Sequence, residues 1–211
     1  QKKIIVATDA TLIPMAFNDD HGTLSGFEPD LIHAIAKEAR LDVELINVEW
    51  AGLFGGLLTK KFDAVISSVT ILEERKQKMA FSIPYLQSGV ALVVREDMEG
   101  VDSLADAKGK NLTVAAQVGT TAYFLLEKDP QIQKKGYQQY GHAISDLIKG
   151  EIGAVVGEST GRQMAGRTTG LVVAGETGVE EELPSEIGLG GGCRIVPGSG
   201  NRTGQTGQPW F

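Results

Sequence analysis

The chain has few of the residues from which covalent cross-links and metal sites are built. Its single cysteine, Cys193, excludes a disulfide within the chain and any metal site made of several cysteines. Three histidines, His21, His33 and His142, are scattered without the spacing of metal ligands, and solvated or capping roles are expected for them. We therefore expect neither a metal ion nor a cofactor.

Positive charge and long apolar segments are also scarce. Lysine and arginine total 20 against 27 acidic residues, which gives a formal charge of -7 and no basic stripe to neutralise phosphates. A nucleic-acid partner is therefore not expected. No apolar run in the sequence approaches the length that crosses a bilayer, and a hydrophobic content of 42% fits a globular protein. A single cysteine suits a reducing or an oxidising compartment equally.

Short apolar segments rich in β-branched residues alternate with segments of helical period, which predicts an α/β protein with largely parallel sheets. Strands are expected at 4–8, 43–48, 64–67, 89–95, 112–116, 154–156 and 171–173. Helices are expected at 27–40, 53–60, 120–127 and 143–149, with helical turns at 75–79 and after Ser103, and a loop at 9–20. Ser103 and Asp106 have the spacing of a capping box.

The strand expected at 64–67 ends in hydroxyl side chains. Ser67, Ser68 and Thr70 come at its carboxyl end, and Arg75 follows shortly after them. Ligands of open α/β sheets bind at the carboxyl ends of strands. Hydroxyl groups there can accept from an ammonium group, and an arginine can bind a carboxylate through two parallel hydrogen bonds. The segment is therefore typical of a receptor for a free amino acid, or equally of an ordinary turn beside a solvated arginine.

The segment 26–31, with the sequence GFEPDL, lies at the start of the helix expected at 27–40. Glu28 and Asp30 fall in the first turn, where acidic side chains complement the helix dipole, so a capping role is expected for both. Pro29 is tolerated there because its missing N–H would have no helical partner in any case.

This segment and three others, TDAT at 8–11, WAGL at 50–53 and GTT at 119–121, occur in an order and at distances that resemble the bacterial extracellular solute-binding proteins of family 3. The hydroxyl-rich stretch at 62–85 resembles that family too, and the resemblance covers roughly residues 4–183. Members of the family are the amino-acid receptors of ABC importers. The resemblance implies a two-lobed periplasmic-binding fold, in which each lobe is a central, mostly parallel sheet flanked by helices.

The resemblance also implies how the chain is divided between the lobes. Lobe I is expected at 1–87 and 183–211, and lobe II at 88–182, with crossovers near 86–89 and 175–183. Relatives return to lobe I with a strand and two helices. Residues 188–211 are instead rich in glycine and small polar residues, which predicts an irregular and mobile segment.

For the α-carboxylate of a ligand, the resemblance implies Arg75 as the anchor. A second contact is expected from Gly119, Thr120 and Thr121, where a strand turns into a helix whose first amides are free to bind an anion. The same residues are equally typical of an ordinary helix cap, and the two roles are compatible.

For the α-ammonium group, the resemblance implies Glu158, at a position where most relatives have aspartate. The hydroxyls of Ser68 and Thr70 are expected to complete this shell. Because these groups, together with Arg75 and Thr121, are polar or cationic, we expect the Glu158 carboxyl to be ionised.

Three further residues are expected to face the ligand side chain. Asp9, after the first strand, either pairs with a cationic or amide group of the ligand or caps its own loop. Trp50 matches an aromatic that packs on the aliphatic part of the ligand in relatives, although a core role is equally typical. Leu12 stands where relatives carry a second aromatic, which weakens the case for cation–π recognition of lysine or arginine.

The function implied is binding of a polar L-amino acid in the cleft between the lobes and its delivery to an ABC import permease. We expect a monomer in the periplasm or outside the cell, membrane-associated if lipid-anchored. No signal peptide is expected in this sequence, because residues 1–3 lead directly into the first strand. Two alternatives are a periplasmic prephenate or arogenate dehydratase, in which a glutamate near position 158 is the general acid, and the ligand-sensing domain of a membrane receptor.

Overall fold

The computed structural model describes residues 3–158 and 171–177. The beginning of the chain forms a parallel sheet of three strands, β1 (Ile4–Thr8), β5 (Val43–Asn47) and β6 (Ala64–Val65), in the order β5-β1-β6. Helix α1 (Phe27–Ala39) precedes β5, and helix α2 (Trp50–Leu58) joins β5 to β6. Helical connections of this kind are what parallel neighbours require.

The central strand β1 and helix α2 share a small apolar core. Ala7 of β1, Leu53 of α2 and Phe62 are buried together, and half-buried apolar side chains from the neighbouring strands pack around them. Burial of a leucine or phenylalanine side chain stabilises the fold by about 1.5–3 kcal/mol each. This core fixes the end of β1 relative to the start of α2.

Three very short strands form an antiparallel ribbon beside this sheet: β2 (Thr11–Leu12), β3 (Ala16–Asn18) and β4 (Leu24–Ser25). The turn between β3 and β4 is closed by Asp19, whose Oδ1 accepts from the backbone N–H of His21 at 2.9 Å and of Thr23 at 2.8 Å. The prediction of a loop at 9–20 was therefore wrong for β2 and β3. Strands of this length are too short to show an alternating pattern in the sequence.

The second sheet contains five strands, namely β7 (Val90–Arg95), β8 (Thr113–Gln117), β9 (Gln133–Tyr137), β10 (Ala154–Glu158) and β11 (Leu171–Thr177), in the order β11-β7-β10-β8-β9. Strands β10, β8 and β9 run parallel, whereas β7 runs antiparallel to both of its neighbours. The sheet is therefore mixed, while the first sheet is wholly parallel.

Side chains of β7 alternate between two buried faces of this sheet. Val90, Leu92 and Val94 face the larger core, and Val93 faces a second core that contains Leu147. Helices α4 (Leu104–Gly109) and α5 (Thr121–Glu127) cover the first face, and α6 (Tyr140–Lys149) covers the second. A strand buried on both faces reads as a continuous apolar run, which is why the sequence VALVV was recognisable.

Most helices lie where the sequence predicts them. The helices expected at 27–40, 53–60, 120–127 and 143–149 are α1, α2, α5 and α6, although α2 and α6 each begin three residues earlier than expected. Ser103 caps α4 as expected, because its Oγ accepts from the N–H of Asp106 at 3.2 Å, and Asp106 Oδ2 reaches back to accept from the N–H of Asp102 at 3.1 Å.

All described strands of the first sheet precede helix α3 (Glu73–Lys76), and all those of the second follow it. This is the arrangement of a two-lobed fold with a connection before β7, and the boundaries of the lobes stay a prediction. Strand β11 runs to Thr177, so the start of the second expected crossover belongs to the sheet. The rest of that crossover and the segment 188–211 lie outside the described residues. None of the described helices combines the length and apolar character that spanning a membrane requires.

Two adjacent glycines of α2 give a test of this packing. A Cβ at Gly56 would lie 2.4 Å from Phe62 Cε1, whereas a Cβ at Gly55 would meet nothing within 4 Å. We expect Gly56→Ala to lower the free energy of unfolding by about 1–3 kcal/mol through overpacking. Gly55→Ala should instead raise it by about 0.5–1 kcal/mol, because alanine favours a helix interior. Urea unfolding of both variants measures the difference, and equal effects would contradict the described packing.

Candidate functional site

A cavity lies where the carboxyl ends of strands from both sheets meet. Asp9 directly follows β1, Ser67 and Ser68 follow β6, Gln117 ends β8 and Glu158 ends β10, and all of them line this cavity. Its volume is about 560 Å³, part of which is open to solvent. The position agrees with the rule that ligands of α/β sheets bind beyond the carboxyl ends of strands.

The residues selected from the sequence come together at this cavity. All of them except Gly119 line it, namely Asp9, Leu12, Trp50, Ser67, Ser68, Thr70, Arg75, Thr120, Thr121 and Glu158. Gly119 contributes its carbonyl oxygen, which accepts a hydrogen bond from Arg75 Nη2 at 3.1 Å. That these residues contact a ligand stays a prediction.

Five residues that line the cavity were missed: Thr11, Gln117, Tyr140, Val156 and Gly157. Gln117 could have been found, because it ends a strand whose neighbour was already assigned to the site. Tyr140 could not, since the sequence placed the start of its helix three residues later. Thr11 lies in the ribbon, which the sequence did not predict.

Arg75 is held by two backbone carbonyls and two aromatic rings. Its Nη1 donates to the carbonyl of Thr70 at 3.0 Å and its Nη2 to that of Gly119 at 3.1 Å. The guanidinium carbon lies 5.0 Å from the ring centroid of Phe54 and 5.8 Å from that of Trp50, which are cation–π distances. These contacts fix the plane of the guanidinium, and a fixed plane favours bidentate binding of a carboxylate.

Asp9 is 6% exposed, and its two carboxylate oxygens have different surroundings. Oδ2 accepts from the backbone N–H of Trp50 at 2.9 Å and so caps helix α2, whose own N-cap residue, Glu49, makes no side-chain cap. Oδ1 is buried and has no hydrogen-bond partner in the described part of the protein. The Asp9 N–H donates to Ser67 Oγ at 3.0 Å. Asp9 therefore caps a neighbouring helix, not its own loop, and presents one unsatisfied acceptor.

Hydroxyl groups join the start of α5 to the loop after β6. Thr120 caps α5, since its Oγ1 accepts from the N–H of Tyr123 at 3.3 Å, and this confirms the expected cap. Thr121 Oγ1 donates to Thr70 Oγ1 at 3.0 Å. Gly119 has φ 78, which favours glycine, and a Cβ there would lie 3.4 Å from Trp50 Nε1.

Trp50 and Leu12 both line the cavity as half-buried side chains. Trp50 opens α2, and its ring meets that of Phe54 edge to face, with centroids 5.3 Å apart at 85°. Phe54 was not among the predicted site residues. It supplies a second aromatic beside Arg75, although position 12 carries none.

Glu28, expected to cap α1, does something else. Glu28 does lie in the first turn of α1, where its charge complements the helix dipole, but the N-cap residue Gly26 makes no side-chain cap and the hydrogen bonds of Glu28 go to other segments. The Glu28 side chain is 1% exposed, and its Oε1 accepts from Ser68 N at 2.5 Å, from Ser68 Oγ at 2.8 Å and from the Tyr85 hydroxyl at 2.6 Å. Burial and the adjacent Glu28 carboxylate raise the pKa of Tyr85, so this hydroxyl stays protonated and donates.

Glu158 does not have the electrostatics expected from its polar neighbours. Burial raises the pKa of its carboxyl to about 7, although the Arg75 charge and a hydrogen bond from Thr70 both lower it. The expectation of a fully ionised Glu158 was therefore wrong for the protein without ligand. Glu158 ends β10 and lines the cavity, and desolvation there outweighs the nearby positive charge.

Part of this burial comes from Tyr140, which is 5% exposed. A Cβ at Gly157 would lie 2.4 Å from Tyr140 Cε2, so only glycine leaves room for this ring beside Glu158. Burial and the Glu158 charge raise the pKa of Tyr140, which keeps its phenol neutral. Tyr140 therefore places a neutral aromatic ring beside Glu158.

No group of histidine, cysteine, aspartate and glutamate side chains within the described ranges has the arrangement of a metal site. His21 lies in the ribbon turn, His33 in α1 and His142 in α6, far apart in the chain and in different elements.

Comparison with known proteins places the cavity in context. The sequence profile of the bacterial extracellular solute-binding proteins, family 3, matches residues 4–182. The chain is 33% identical over 175 residues to a probable amino-acid-binding protein, YxeM, of Bacillus subtilis strain 168, covering 81% of this chain and 65% of that protein. It is 34% identical over 155 residues to the L-cystine-binding protein TcyJ of Escherichia coli K12, covering 72% and 58%. The matched region thus spans less than two thirds of these relatives.

Solved structures share the fold. An ancestral arginine-binding protein bound to glutamine matches with a TM-score of 0.79 and 32% identity, over 84% of this chain and 80% of that one. An ancestral amino-acid-binding protein, AncCDT-1, a precursor of cyclohexadienyl dehydratase, matches with a TM-score of 0.77 and 32% identity, over 81% and 76%.

Proposed function

This chain belongs to the bacterial extracellular solute-binding proteins, family 3, and we propose that it binds a free L-amino acid with a polar or cationic side chain in the cavity between its two sheets. The single observation that carries the proposal is the fixed guanidinium of Arg75 in the same cavity as the Glu158 carboxyl. The guanidinium of Arg75 suits an α-carboxylate, and the carboxyl of Glu158 suits an α-ammonium group.

The side chain of the ligand is selected by Asp9. Its Oδ1 is buried without a described partner, and leaving a buried acceptor unpaired is costly. An amide or cationic group on the ligand would satisfy it, whereas an aliphatic side chain would not. Arginine, cystine and glutamine, which appear in the names of similar proteins, all carry a polar group beyond the α-carbon.

Direct contacts between the two parts of the protein support a cleft that closes over its ligand. Arg75 donates to Gly119, Thr121 to Thr70, and Gln139 Nε2 to Glu49 Oε1 at 3.2 Å. Closure excludes water and strengthens ionic contacts inside the cleft. The closed form would then be recognised by the permease of an ABC importer. The protein would act as a monomer in the periplasm or outside the cell, and it would be membrane-associated if lipid-anchored.

The first prediction concerns Arg75. Replacing it with methionine should weaken binding of L-arginine, L-glutamine or L-cystine by about 2–5 kcal/mol, because a buried carboxylate would lose its partner. This corresponds to roughly 1.5 to 3.5 decades in Kd, measured by calorimetry. Lys78→Met, which removes an exposed charge nearby, is the matched control and should leave Kd unchanged. A Kd for Arg75→Met within about threefold of the parent would contradict the assignment.

The second prediction follows from the pKa of Glu158, which is about 7 without ligand. An ammonium group beside it favours the ionised form, so binding should release a proton below that pH. Affinity should be constant above about pH 8 and should weaken as the pH falls through 7, by up to about tenfold per unit. Glu158→Gln should bind more weakly and lose this dependence. Equal affinity at about pH 5.5 and 8 in calorimetry would show that Glu158 does not meet the ammonium.

A second candidate function is dehydration of prephenate or arogenate. A general acid must be protonated near neutral pH, and the raised pKa of Glu158 meets that requirement in part. The similarity to AncCDT-1, an amino-acid-binding protein described as a precursor of cyclohexadienyl dehydratase, supports considering this alternative. The binding function is favoured because Arg75 and Thr70 both stabilise the ionised carboxylate, and a bound ammonium would do so further.

We therefore expect no formation of phenylpyruvate from prephenate, or of phenylalanine from arogenate, by the purified chain. Both products are measured by chromatography after prolonged incubation, with Glu158→Gln as the matched control. Product formed by the parent and abolished in Glu158→Gln would replace the receptor assignment with the enzymatic one.

A further inference from the structure

The most deeply buried carboxylate near the cavity is not one of its lining groups. Glu28 lies in the first turn of α1, 1% exposed, and contacts the cavity only through Ser68. Three hydrogen bonds converge on its Oε1, two of them from Ser68 and one from Tyr85. A buried carboxylate is costly unless it is well paired. Its described partners are Ser68 and Tyr85, and Tyr85 lies in the segment before β7.

The contact between Glu28 and Ser68 determines what Ser68 can do. A serine hydroxyl has one proton to donate and two lone pairs to accept with, whereas a carboxylate can only accept. Ser68 Oγ lies 2.8 Å from Glu28 Oε1, so its one proton is directed at Glu28. Only lone pairs then remain to face the cavity. Such a hydroxyl can accept from an ammonium group but cannot donate to a carboxylate or carbonyl.

The backbone of Ser68 is held by the same group. Ser68 has φ 47, a left-handed conformation that few residues other than glycine adopt without cost. Its N–H donates to Glu28 Oε1 at 2.5 Å and also lies 3.2 Å from the Tyr85 hydroxyl oxygen. These bonds offset the cost of the conformation and leave the hydroxyl in one orientation.

We propose that Glu28 is a positioning residue that fixes Ser68 as a hydrogen-bond acceptor towards the cavity and thereby makes the site select a ligand with a free α-ammonium group. The proposal rests on the proposed function, since it assigns the polarity of one contact in that site. Glu28 itself touches no ligand. Its effect is on selectivity between an amino acid and the same molecule without its amino group.

The experiment compares ligands in pairs. The common L-amino acids and L-cystine are screened by thermal shift, and the tightest binder is paired with its α-deamino analogue, which for L-arginine is 5-guanidinopentanoate. The selectivity ratio, which is the Kd of the deamino analogue divided by the Kd of the amino acid, is measured for the parent and for Glu28→Met. The ratio should fall by roughly tenfold in Glu28→Met, the usual value of a hydrogen bond to a charged group. Loss of structure alone would weaken both ligands alike and leave the ratio unchanged.

Three further variants show whether a change in the ratio comes from the acceptor oxygen of Glu28, from loss of an acidic residue in the first turn of α1, or from the Ser68 hydroxyl. Glu28→Gln keeps an acceptor oxygen and should retain the ratio to within about threefold. Asp30→Ala removes the other acid of the same helical turn, which lies at the surface, and should also retain it. Ser68→Gly removes the hydroxyl at a position whose φ suits glycine, so it should fold even if Glu28→Met does not, and its ratio should fall as in Glu28→Met.

The outcomes are distinct. An unchanged ratio in Glu28→Met or in Ser68→Gly, with the parent binding its amino acid, overturns the role of Glu28 and leaves the proposed function standing. A parent that binds none of the screened amino acids overturns both. A ratio that falls in Glu28→Met and Ser68→Gly, but not in Glu28→Gln or Asp30→Ala, supports the proposal.

Discussion

Carboxylates withdrawn from water need matched donors, and this requirement organises the whole site. Asp9 has one oxygen on the N-terminus of α2 and the other without a described partner. Glu28 is 1% exposed and has three donors on Oε1. Glu158 has partners that are not enough to offset its burial, so the pKa of its carboxyl rises to about 7. The acids thus range from fully paired to under-paired, and the under-paired ones line the cavity, where a ligand can supply the missing donors.

Much of the fold could be predicted because its central strands are apolar. The sequences IIVAT in β1 and VALVV in β7 are short and rich in β-branched residues, and the position of Ser103 before Asp106 identifies the start of α4. Strand β9 was missed because its sequence, QKKGY, is polar and its side chains are mostly exposed. The antiparallel direction of β7 could not be predicted either, since pairing direction depends on which strands meet and leaves no pattern within one strand.

The site was predictable where it depends on strand ends and not where it depends on packing between distant segments. Ser67, Ser68 and Arg75 follow one strand closely and could be grouped from the sequence. Glu28 meets Ser68 across 40 positions of the chain, and nothing near Glu28 distinguishes that contact from a helix cap. The raised pKa of Glu158 depends on how far the carboxyl is withdrawn from water, which a list of its polar neighbours cannot show.

Strand β9 has a consequence for how the protein behaves at high concentration. Among the described strands it lies at one edge of the second sheet, and an edge strand presents backbone groups along its outer side that a further strand can pair with. Two consecutive lysines, Lys134 and Lys135, occupy that edge in an exposed position. A second molecule that added its own strand there would have to bring its backbone past the exposed Lys134, whose charge repels an identical edge, whereas Lys135 is ion-paired with Asp146 at 3.3 Å. The same polar sequence that concealed the strand therefore opposes edge-to-edge aggregation.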